Sequence, residues 1–200
     1  MTRPPEPQDQ LAFAQRVVTL LEKLGIRYAI GGSVAAMAYS VQRFTADIDL
    51  MLMAEAQELA RLVDEVKAWQ IYIAPLEAIL EEDLPHGLPF NIYNGAAGTK
   101  ADLYVIQPTG LSGSAMSRRR RIRDDQTGLE AWFLAPEDVI LYKLDYFRRS
   151  EGISQKHPQD IAKLLNVIGD QLDLAYIARW AAEIGVLDLW KALWDEFQKK

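Results

Sequence analysis

Pro136 separates two kinds of pattern, and that division limits the folds open to this chain. Up to Leu134, short apolar runs of strand length alternate with helix-period segments. Beyond Pro136 only the helical period remains, in four stretches: Pro136 to Arg149, Pro158 to Ile168, Asp173 to Glu183 and Val186 to Phe197. A chain that mixes strands and helices and then runs on in helices alone is expected to be α+β, one sheet region with an appended helical C-terminal segment. The expected division is residues 1–135 and 136–200, as two parts or as one continuous domain. At 200 residues the chain buries a sizeable core without staples, and with no cysteine it has no disulfide framework, thiolate metal site or cysteine nucleophile. Only His86 and His157 could supply imidazole, so metal sites rich in histidine are excluded.

In the first part, Gln8 to Leu24 carries Leu11, Ala14, Val18 and Leu21 at helical spacing, and Gly25 ends that helix. Strands are expected at Ile26 to Ile30, Ile48 to Met53, Ile71 to Ile73, Phe90 to Tyr93 and Ala101 to Ile106. Helices are expected at Val34 to Tyr39, Ala56 to Trp69 and Pro75 to Glu82. Arg118 to Arg123 and Ala131 to Leu134 read as a further hairpin. The ten N-terminal residues are polar and proline-rich, and no run approaches the ~18–20 apolar residues of a membrane span, so a soluble, cytoplasmic protein is expected. Acids outnumber bases by 28 to 22, a net charge of −6, which argues against sequence-blind nucleic-acid binding by overall charge.

Two stretches carry chemistry. The first is Gly31-Gly32-Ser33, a strand end opening into a helix. Glycine lets a ligand approach the backbone, and the free N–H groups of a helix start favour phosphate; a plain strand-to-helix turn is the alternative. The second is Asp47-Ile48-Asp49-Leu50. Residues two apart on a strand share a face, so Asp47 and Asp49 project together while Ile48 and Leu50 point to the core. Paired carboxylates beside a core repel one another, and a divalent cation held by oxygen ligands compensates them; a solvated strand is the simpler alternative. Asp102 stands opposite Ala101 and Leu103 on a third strand. If that strand neighbours the one bearing Asp47, three carboxylates converge, as two-metal phosphoryl or nucleotidyl transfer requires.

Gly31-Gly32-Ser33, thirteen further residues, Asp47-Ile48-Asp49, and the later single Asp102 together resemble the nucleotidyltransferase (DNA polymerase β-like) superfamily. Arg43-Phe44-Thr45-Ala46-Asp47, the run from Ala135 to Leu144 and Lys156-His157-Pro158-Gln159-Asp160 are similar to its AbiEii-type and related uncharacterised branches. The resemblance implies a nucleotidyltransferase-like mixed β-sheet flanked by helices, and Mg²⁺ or Mn²⁺ on Asp47, Asp49 and Asp102 as catalytic and metal-binding residues. It implies an NTP substrate such as ATP held through Gly31, Gly32, Ser33, Arg43, Thr45, Lys143 and Asp160. Transfer of an NMP to an RNA (tRNA) 3′ end or to a hydroxyl of a partner protein would follow, in some branches as part of a toxin–antitoxin pair. A non-catalytic, antitoxin-like module that binds nucleotide or partner on the same fold is the alternative.

Lys143 lies within the apolar stripe Ile140, Leu144 and Phe147, where it either snorkels to water, pairs with Asp160 or meets phosphate. Asp160 at a helix start also suits the macrodipole. Five arginines fall within Arg118 to Arg123, a charged edge strand or a contact for a phosphate-bearing acceptor. Trp190, Leu193, Trp194 and Phe197 form a helix-spaced stripe, expected as core or as a homodimer face.

Overall fold

A computed structural model of the chain describes residues 7–39, 47–123, 128, 130–153 and 156–199. The strands are β1 (Arg27–Ile30), β2 (Asp47–Met53), β3 (Tyr72–Ile73), β4 (Phe90–Asn94), β5 (Thr99–Val105), β6 (Arg120–Arg123) and β7 (Glu130–Phe133). The α-helices are α1 (Pro7–Leu24), α2 (Gly32–Tyr39), α3 (Ala56–Lys67), α4 (Leu76–Ala78), α5 (Gly110–Arg118), α6 (Pro136–Arg149), α7 (Lys156–Ile168), α8 (Leu174–Glu183) and α9 (Leu187–Gln198). The chain is α+β, as expected, and forms two compact units. The first takes in residues 1–31 and 44–133, the second residues 32–43 and 134–200. The second unit's first segment, an excursion from the sheet-bearing unit, carries α2. That excursion follows from composition: α2 reads Gly-Ser-Val-Ala-Ala-Met-Ala-Tyr, with no charge, and packs on α6 and α7.

The first unit is built on a seven-stranded sheet in the order β3-β4-β5-β2-β1-β7-β6. At its centre β2 and β5 run parallel, with Ile48 beside Ala101 and Leu50 beside Leu103. β1 is antiparallel to β2 and parallel to β7, and β4 is antiparallel to β5. Ile48, Leu50, Leu52, Ala101, Leu103, Phe90 and Ile92 are all buried, so one sheet face is core. α1 and α3 pack on each other, α1 also against β1 and β5, and α3 against β3. Gly25, at φ +74°, terminates α1: Ile26 N–H donates to the Leu21 carbonyl at 3.0 Å, a wrap that only a left-handed residue closes easily.

Two sequence expectations are corrected here. Residues 110–118, given no element in the sequence analysis, form α5, and Arg118, expected in the arginine strand, is its last residue rather than part of β6. Ser and Gly fill this helix and disfavour it locally, whereas buried Leu111, Ala115 and Met116 hold it in place. The segment after Pro75 is a single α-turn that passes into a π-helical turn at Ile79–Asp83 and a 3₁₀ turn at Leu84–His86. In the second unit, the helices after Pro136 follow the expected spans within two residues. Trp190 is buried there, with Trp194 against it at 5.5 Å and Phe197 against Trp194 at 5.4 Å. Among the described residues, no helix is long and apolar enough to cross a membrane.

Candidate active site

The sheet register decides where the acids go. In the β2–β5 ladder Asp49 stands directly beside Asp102, and Asp47 beside Lys100. In the β4–β5 ladder Asn91 is opposite Asp102, and Tyr93 is opposite Lys100. Directly paired residues share a sheet face, as do residues two apart on a strand. Asp47, Asp49, Asp102, Lys100 and Asn91 therefore project from one face, while their neighbours Ile48, Leu50, Ala101 and Leu103 fill the core on the other. At the next strand, the Gly31 N–H donates to the Asp49 carbonyl at 2.8 Å. The end of β1 thus lies against Asp49, and Gly32, the residue that follows, opens α2 with φ +57°, a conformation glycine adopts without strain. Ser33 is buried in the first turn of α2. Arg43 and Thr45 lie outside the described residues.

Lys100 joins the acids, a participant the sequence reading passed over. Its ammonium sits 3.0 Å from Asp102 Oδ2, and Asn91 Nδ2 donates to Asp102 Oδ1, so both oxygens of that carboxylate are engaged. Burial pulls the Lys100 pKa down. The hydrogen bond to Asp102 and the charges of Asp102, Asp47 and Asp49 outweigh it and leave the ammonium above the usual lysine value. That balance shows the three carboxylates acting on one ammonium together. Lys100 had a signal in the sequence: it is two residues before Asp102 and so shares its face. Asn91 had none, because only the β4–β5 register brings it there.

Among the described residues, no group of three His, Cys, Asp or Glu side chains is placed to hold a metal ion as they stand. The donor set nonetheless fits a hard divalent cation. Three carboxylates on one face, with neither imidazole nor thiolate beside them in these rows, are oxygen ligands of the kind Mg²⁺ takes.

Lys143 and Asp160 lie in the second unit. Lys143 Nζ donates to Asp160 Oδ2 at 2.9 Å, and both side chains are more than nine-tenths buried, joining α6 to α7. Of the partners open to Lys143, this structure displays Asp160. His157, one helical turn before Lys143's partner, packs its ring at a tilt against Tyr146, the centroids 4.8 Å apart. Burial, then the positive charges of Lys143 and Lys156, hold its pKa below the ordinary histidine value against the pull of Asp160. Of the arginine run, Arg120, Arg121 and Arg123 lie on β6, at one edge of the sheet, while Arg118 ends α5. Arg121 bridges Glu130 at 2.7 Å and Glu22 at 3.1 Å, and Arg119 lies over the Trp132 ring at 4.6 Å.

The sequence matches no family model, and no curated protein matches it. Solved structures do. The antibiotic-resistance factor ANT(2'')-Ia superposes with a TM-score of 0.59 at 17% identity, over 98% of this chain and 100% of that one. The lincosamide antibiotic adenylyltransferase LnuA, in its lincomycin-bound form, gives 0.55 at 12% identity, over 82% and 99%. An antigenic nucleotidyltransferase-like protein from Paracoccidioides brasiliensis gives 0.53 at 18% identity, over 96% and 94%. The chain has the nucleotidyltransferase-like fold.

Proposed function

We propose that this chain transfers a nucleoside monophosphate from an NTP to an acceptor hydroxyl. The observation that carries the reading is the shared face of Asp47, Asp49 and Asp102, beside the strand end at Gly31. Asp47, Asp49 and Asp102 would hold divalent ions, Mg²⁺ or Mn²⁺, which when bound make a hydroxyl a better nucleophile and neutralise charge on the phosphates. The stretch Gly31-Gly32-Ser33 receives the polyphosphate, as its resemblance to the superfamily implies. Asp102 takes the proton of the acceptor hydroxyl. The acceptor oxygen then bonds to the α-phosphorus as the bond to the bridging oxygen breaks, and pyrophosphate leaves with that electron pair. Lys100 holds Asp102 ionised and oriented until substrate arrives. RNA 3′ ends, protein hydroxyls of the toxin–antitoxin kind and small hydroxylated molecules are the acceptor classes compatible with this chemistry.

The test is pyrophosphate release from each of the four NTPs with Mg²⁺, in the presence of lysate or total tRNA, with the labelled product identified. Asp49→Asn is expected to abolish release while leaving the circular dichroism spectrum unchanged. A second reading rests on the engagement of both Asp102 oxygens by Lys100 and Asn91: a module that binds nucleotide or partner without turnover. NTP binding without release of pyrophosphate under any of these conditions would favour it.

A further inference from the structure

Lys100 stands among the acids and engages the carboxylate from which transfer would start. In its own row Asp47 is directly beside it on β2 and Tyr93 is opposite it on β4. Its ammonium turns instead to the next row, 3.0 Å from Asp102 Oδ2, while Asn91 Nδ2 donates to Asp102 Oδ1. The two partners differ in freedom: the Asp102 side chain is 13% exposed and the Lys100 side chain 36%. The carboxylate is fixed on a strand that is laddered on both sides, whereas the ammonium rides on a flexible four-carbon stem with access to water. The pair is not what holds β5 in the sheet. The ladders to β2 and β4 and the burial of Ala101 and Leu103 do that.

We propose that Lys100 is the resident cation of this site: it keeps divalent metal off Asp102 until an NTP is bound, and then passes from Asp102 to the incoming phosphates. The inference rests on the transfer reading above. Each Asp102 oxygen keeps a second lone pair, so hydrogen bonding alone does not bar a metal. Charge does. An ion on Asp102 Oδ2 at the usual Mg–O length of about 2.1 Å could lie no farther than about 5 Å from the ammonium. A divalent cation and an ammonium at that range repel, the more so on a sheet whose other face is closed to water. A polyphosphate changes the balance, because its negative charges face both cations. The ammonium then exchanges a carboxylate oxygen for a phosphate oxygen, and the metal takes the place it leaves on Asp102. Lys100 is thus a positioning residue that sets the order of binding, with the third carboxylate open to metal only when nucleotide is present.

The test is Mn²⁺ binding to the full, nucleotide-free chain, read by electron paramagnetic resonance. Lys100→Met keeps the stem and removes the charge, and it should bind Mn²⁺ at least tenfold more tightly than wild type. Lys100→Arg keeps the charge and should stay within about threefold of wild type. Adding Asp102→Asn to Lys100→Met should cancel the gain. A smaller gain in Lys100→Met, an equal gain in Lys100→Arg, or a gain that survives Asp102→Asn overturns the proposal. Circular dichroism checks that each variant is folded, and Lys100→Gln replaces Lys100→Met if that chain does not fold. The exchange itself is read on wild type labelled with ¹³C-lysine, the Lys100 Cε signal being assigned from Lys100→Arg. That signal should stay in place with millimolar Mg²⁺ alone and move with Mg²⁺ plus the α,β-methylene analogue of the preferred NTP; movement with Mg²⁺ alone overturns the proposal. Pyrophosphate release is measured separately. A tenfold gain without release from any NTP refutes the transfer reading and leaves Lys100 a guard against metal; release without the gain refutes the guard and leaves the reaction.

Discussion

Lys143 and Asp160 show how one buried pair ties two helices together. Each is more than nine-tenths buried, so removal of either charge takes away the opposite charge that offsets the other's desolvation. Lys143→Met keeps the aliphatic stem and removes the ammonium. Breaking such a pair costs about 3–5 kcal/mol, and Asp160→Asn in the same background should recover part of it, both measured by urea denaturation. The variant's KM for NTP reports the other role implied by the resemblance: a stability loss with KM unchanged assigns Lys143 to structure alone. His157 supplies a pH dependence whose sign is fixed. Its folded pKa lies below the ordinary value of about 6.5, so the unfolded chain binds the proton first as pH falls. The stability His157 contributes is therefore complete above about pH 6.5 and is lost as pH falls from there through the folded value. Melting temperatures between pH 8 and 5.5 should show the decline, and His157→Gln should flatten it.

At the scale of elements, alternation made β2 legible. Asp47, Ile48, Asp49, Leu50 states both faces of a strand, and the same logic applied to Ala101, Asp102, Leu103 places the third acid opposite a core. What the sequence withheld was register. Nothing in Phe90 to Tyr93 says that Asn91 will meet Asp102 or that Tyr93 will meet Lys100, because those pairings follow from which strands become neighbours. α5 was illegible for a different reason: its local preferences oppose its structure, and burial of Leu111, Ala115 and Met116 decides the outcome. Gly113 shows how tight that burial is. A Cβ built there would lie 2.5 Å from the Pro108 carbonyl oxygen, a backbone atom that cannot swing aside. Alanine improves helix propensity by about 1 kcal/mol over glycine, but overpacking costs about 1–3 kcal/mol. Gly113→Ala should therefore be net destabilising despite its better propensity, as a lower urea midpoint with unchanged m-value would show.

Across the whole molecule, −6 of net charge coexists with a sheet face that gathers three acids around one lysine. Like charges gathered on one face oppose folding, and a fold that keeps them there is more stable when cations join them. Mg²⁺ with the preferred NTP should accordingly stabilise the chain. A ligand present at 100 times its Kd contributes about 2.7 kcal/mol. For a chain of this length that corresponds to a rise in melting temperature of roughly 5–10 °C. Asp49→Asn separates the two halves of this account. Without metal it removes repulsion and should melt at or above the wild-type temperature; with Mg²⁺ and NTP it should gain little. A wild-type protein that shows no shift with any NTP, in Mg²⁺ or in Mn²⁺, would mean that the acids hold no nucleotide-bound metal, and the transfer reading would fall with it. A shift of equal size in Asp49→Asn would place the nucleotide away from these carboxylates.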